Sequence, residues 1–129
     1  FIRKSQLATQ TEALTEENIG IYDISPEQEY IENMLRVATL LQKITPNVIF
    51  ATTTPVWDEF EWTHNDKIQR FNEIIVPRLK EIGVKINDLH ALVSKDIHKY
   101  IKECDKIHLS DEGVELCAEA VCKAIKEFE

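Results

Sequence analysis

Near the end of this chain an aspartate stands three residues before a histidine, in Asp105-Lys106-Ile107-His108-Leu109-Ser110. In a turn, that spacing sets a carboxylate beside one imidazole nitrogen. The contact holds the tautomer and stabilises the protonated ring, leaving the other nitrogen free as a general base. A base of this kind serves a nucleophile, usually a Ser or Cys. The same spacing also suits a helix-capping turn that carries a surface histidine. Cys104 adjoins Asp105, but adjacent side chains diverge in a turn, and an idle thiol is the simpler reading. His64, His90, His98, Cys104 and His108 show no pairing at zinc-ligand spacing, so no metal is expected. Three glycines in 129 residues cannot build a phosphate-cradling loop, and no organic cofactor is expected.

The rest of the composition narrows the field. The chain has 43% hydrophobic and 29% charged residues, a globular balance sufficient for one domain spanning residues 1–129, with 1–18 irregular. Acidic residues outnumber basic ones 23 to 15, a net charge of −8. Such a surface repels phosphate backbones and anionic lipid, so neither nucleic acid nor a membrane is an expected partner. The only methionine is Met34 and the chain opens on Phe1, so a processed, trimmed or partial chain is expected. Cys104, Cys117 and Cys122 are odd in number and clustered. Reduced thiols in a cytoplasmic protein are the expectation.

Elements must position these residues. Ile19 to Ile24 reads as the tail of a strand. Ser25, Pro26 and Gln28 form a cap, a first helical position and a capping-box partner. Tyr30, Ile31, Met34, Leu35, Ala38, Leu41 and Ile44 then recur at helical spacing until Thr45-Pro46-Asn47. Val48-Ile49-Phe50-Ala51 is a continuous apolar run, expected to be a strand buried on both faces. A loop over 54–65 carries Trp57, Phe60 and Trp62, either lining a substrate pocket or packing over the next helix. That helix starts near Asn65 or Asp66, should kink or split at Pro77, and ends at Gly83. Val84 to Leu89 reads as a strand and His90 to Tyr100 as a short helix with loop. Ser110 caps a last helix whose expected buried stripe is Val114, Cys117, Ala118, Val121, Ala124, Ile125 and Phe128. Alternating strands and helices predict an α/β fold with a parallel sheet, whose ligand sites lie at the strands' carboxyl ends.

The stretch Asp105 to Gly113 before an amphipathic helix resembles the final motif of the SGNH/GDSL hydrolases. Val48 to Val56 is similar to that superfamily's penultimate core strand and turn. Arg70-Phe71-Asn72-Glu73, Ile86-Asn87-Asp88-Leu89 and Glu29 to Met34 resemble its neighbouring helices and last strand. The resemblance implies a flavodoxin-like α/β/α sandwich that hydrolyses esters by acyl transfer, for example an acyl or acetyl ester of a carbohydrate. It implies His108 as general base and Asp105 as its orienting partner. It implies Asn18 and Gly20 near an oxyanion site, and Pro55 and Val56 lining the substrate. No Gly-Asp-Ser motif carrying a nucleophile occurs here. The chain is therefore expected to be the C-terminal portion of such an enzyme, its serine lying elsewhere. The competing expectation is a non-enzymatic α/β module or degenerate fragment. It would pair with a second copy or a complementing chain along a sheet edge.

Overall fold

The computed structural model describes residues 25–129. The first helix, α1, runs over Pro26–Gln42. Ser25 caps it: its Oγ accepts the Gln28 backbone N–H at 3.1 Å, and Pro26 follows at the first helical position. The capping box is only half made, because the Gln28 amide donates forward to Glu32 at 2.8 Å rather than back to the cap. The bond to Glu32 draws the Gln28 side chain along the helix and away from the cap.

Strand β1 (Ile49–Ala51) pairs in parallel with β2 (Lys85–Asn87), placing Phe50 opposite Ile86. Helix α2 (Asn65–Glu81) makes the crossover between them, as parallel pairing requires. The expectation that 48–51 is buried on both faces needs correction. Val48 and Thr52 are buried, but Ile49 and Phe50 are half-buried and Ala51 is exposed. Among the described residues β1 pairs with β2 alone. Pro77 neither splits nor ends α2. Ile75 and Leu79 flank it and are fully buried, and their packing outweighs the hydrogen bond the ring removes. Gly83 ends the helix at φ +86°, where its N–H reaches Lys80 O and the Val84 N–H reaches Leu79 O, both at 3.0 Å. This paired closure is why a residue without Cβ stands there.

After β2 the chain turns at once. Asp88 caps α3 (Leu89–Val93) and Asp96 caps α4 (Ile97–Tyr100), so two short helices replace the single one expected, and Leu89 belongs to a helix rather than a strand. Helix α5 (Asp111–Lys126) is capped by Ser110 as expected. Its buried line keeps only Cys117 and Ala124 of the expected stripe. Gly113, Cys117 and Ala124 are buried, whereas Val114, Ala118, Val121, Ile125 and Phe128 are exposed. At Gly113 the reason is steric. A Cβ on Gly113 would stand 2.1 Å from the Tyr100 carbonyl oxygen, so α5 approaches α4 most closely at its one glycine.

Two apolar clusters result. Ala38, Val48, Ile75, Leu79 and Val84 bind α1, α2 and the sheet together. Val93, Ile101 and Cys117 form the second, against which Trp57, Tyr100 and Leu109 pack. Among the described residues, no helix is long and apolar enough to cross a membrane.

Candidate active site

The site begins where β1 runs out. The Thr52 N–H donates to Asn87 O at 3.1 Å, extending the parallel pairing by one residue. The Thr52 hydroxyl donates to Asp88 Oδ1 at 2.8 Å and accepts the His90 N–H at 2.9 Å. The turn after β1 and the turn after β2 are thereby joined at their carboxyl ends.

Two asparagines on α2 then hold the chain as it leaves. Asn72 accepts the Thr53 N–H and donates to the Thr53 carbonyl, both at 2.9 Å. Asn65 does the same to Val56, at 2.9 and 2.7 Å. Residues seven apart on a helix share a face two turns apart. Each amide therefore stands in for the backbone of a neighbouring strand. Pro55, between the clamps, is fully buried, and Val56 is 3% exposed. The side chains of these two expected substrate-lining residues thus pack inward. Asn18 and Gly20 lie outside the described residues.

Trp57 comes next. Its backbone N–H donates to Lys106 O at 3.0 Å and its indole N–H to Ile101 O at 3.2 Å. Its ring packs against His98 at a 35° tilt, centroids 4.3 Å apart. These contacts lead into the segment that sequence reading singled out. Ile101 and Leu109 form an antiparallel bridge, and the Lys102 N–H donates to His108 O at 2.8 Å. Between them, Asp105 Oδ1 accepts the Ile107 N–H at 3.1 Å and the His108 N–H at 3.0 Å. Asp105 Oδ2 lies 2.8 Å from His108 Nδ1. Lys106 makes this compactness possible by adopting φ +64°, a left-handed conformation that costs a non-glycine residue about 1 kcal/mol or more.

The electrostatics follow from those donors. The His108 backbone N–H, then the Ile107 N–H and the His108 ring, pull the Asp105 carboxyl from its ordinary 3.8 down to about 2. An ionised carboxylate only accepts, so Nδ1 of neutral His108 carries the proton and Nε2 is left as the acceptor. His108 stands outward, its side chain 75% exposed. Among the described residues, no three His, Cys, Asp or Glu side chains gather closely enough to hold a metal ion.

The sequence points to Asp105 and His108 and to the turn at Thr52, but not to Asn65 and Asn72 as builders of the rim. A signal existed for the asparagines. Asn72 occupies the same buried face as Ile68, Ile75 and Leu79, where an amide needs a partner.

A parallel β-α-β unit, followed by a loop that holds an ionised aspartate against a surface histidine, defines an α/β chain with a candidate acid–base pair. The particular relatives are GDSL/SGNH-type esterases, which this chain resembles over most of its length. It is 29% identical over 119 residues to a GDSL esterase/lipase of Arabidopsis thaliana, a match covering 81% of this chain and 46% of that protein. It is likewise 29% identical over 119 residues to a GDSL esterase/lipase of Oryza sativa subsp. japonica, covering 81% and 45%. It is 33% identical over 89 residues to an acetylxylan esterase of Xylanibacter ruminicola, covering 66% of this chain and 18% of that one. The chain thus spans less than half the length of the curated relatives it matches. No family model matches the sequence. No solved structure matches significantly.

Proposed function

We propose that this chain is the C-terminal portion of a serine esterase with a flavodoxin-like α/β/α sandwich, acting on an acyl or acetyl ester of a carbohydrate. The single observation that carries the reading is the 2.8 Å contact between Asp105 Oδ2 and His108 Nδ1, which leaves Nε2 open. The similarity to GDSL esterases supports it, and one relative is an acetylxylan esterase.

In the proposed reaction a serine outside this chain attacks the ester carbonyl as His108 Nε2 takes its hydroxyl proton. Asp105 stabilises the imidazolium. The tetrahedral intermediate then expels the alcohol, to which His108 returns the proton. Water, activated by the same nitrogen, releases the acid from the acyl-serine. No metal or organic cofactor takes part.

The test is His108→Ala in the full-length protein, assayed with p-nitrophenyl acetate. Turnover should fall by about 10²–10⁴-fold, the contribution of a positioned general base. Unchanged turnover by a normally folded variant would overturn the reading.

A further inference from the structure

The loop that carries Asp105 and His108 has little regular structure of its own. It holds one isolated antiparallel bridge, a left-handed lysine and an exposed histidine. Something outside the loop must therefore fix where the pair stands relative to the strand ends. One residue outside the loop reaches both its start and its middle. The Trp57 indole N–H meets Ile101 O, where the loop leaves the core, and its backbone N–H meets Lys106 O, between the aspartate and the histidine.

Trp57 is itself held on three sides. The Asn65 clamp on Val56 fixes the backbone just before it. The tilted contact with His98 braces one face of its ring, and the second apolar cluster receives its bulk. We propose that Trp57 is the positioning residue for the Asp105–His108 pair, coupling the turn after β1 to the loop before α5. The consequence for turnover rests on the esterase reading above. The consequence for His108 geometry does not.

The two contacts are separable. Any residue but proline supplies the backbone N–H to Lys106, so only the indole N–H is particular to tryptophan. Trp57→Phe keeps a ring and the backbone bond while removing the donor to Ile101. Benzothienylalanine at position 57 keeps the full bicyclic shape and puts sulfur where the N–H was. It remains informative if the Phe variant fails to fold.

Both are made in the full-length protein with isotope-labelled histidine. The expected result is a shift of the His108 ring nitrogens away from the Nδ1–H tautomer. The kcat for p-nitrophenyl acetate should fall about 10- to 100-fold, the scale of a small misplacement, with KM within about twofold. A merely structural tryptophan would lower the melting temperature and leave the tautomer and the kcat per folded molecule unchanged, and that result would overturn the proposal. Asp105→Asn separates the two claims. If it abolishes turnover while the position-57 variants leave it intact, the Trp57 proposal fails alone. If it leaves turnover intact, the esterase reading fails. The Trp57 proposal then stands or falls on the tautomer.

Discussion

Asp105 uses both of its oxygens within three residues of itself, and this locality made the pair readable. Its donors are the next residues along the chain, so spacing announced the contact, though not where the pair stands in the fold. Trp57 was not readable in the same way, because its indole partner is 44 residues distant and no local pattern announces such a contact. The lowered Asp105 carboxyl carries a consequence for stability. A carboxyl whose pKa falls on folding adds stability above its unfolded value and loses it as pH drops through the folded one. For Asp105 that window runs from about 4 down to about 2. The difference in melting temperature between the protein and Asp105→Asn should therefore shrink across that interval on acidification. A difference that stays constant there would contradict the contact.

At the scale of elements, the ends of helices were more legible than their faces. Ser25 with Pro26, Gly83 and Ser110 each stand where sequence reading put a boundary, because capping is decided within three or four residues. The face of α5 was misread because periodicity counts hydrophobicity and not bulk. Valines and isoleucines suggested a stripe, but the helix buries Gly113, Cys117 and Ala124, and at position 113 the Tyr100 backbone leaves no room for a Cβ. This gives Gly113 an unusual sign. In an exposed helix, Gly→Ala stabilises by about 1 kcal/mol. Here the added Cβ meets backbone at Tyr100, which cannot swing aside. Gly113→Ala should therefore lose about 1–3 kcal/mol in a urea titration, the usual cost of overpacking. A variant of equal or greater stability would refute the close approach.

For the molecule as a whole, the alternation of apolar runs and amphipathic segments announced the α/β order and the parallel pairing of β1 with β2. The width of the sheet was not legible, since three-residue strands say nothing of what lies beside them. The cysteines offer a reading of global integrity. All three are free: Cys104 and Cys122 are exposed, while Cys117 is buried in the second cluster and its thiol is pushed up by that burial. A disulfide-exchange reagent at neutral pH should modify two thiols quickly in the native protein. The third should react only as fast as the α5 packing opens, or at once in denaturant. Rapid modification of all three would show that α5 is not seated as described.

Lys106 has a last consequence, for limited proteolysis. Chemically it invites trypsin, and it sits in an exposed loop. A protease threads its substrate as an extended strand, however, and Lys106 is wound the opposite way with its carbonyl held by Trp57. The peptide bond after it is protected by shape and not by depth. Where opening and closing outpace cleavage, the rate of cutting there tracks the fraction of molecules in which the loop has let go of the tryptophan.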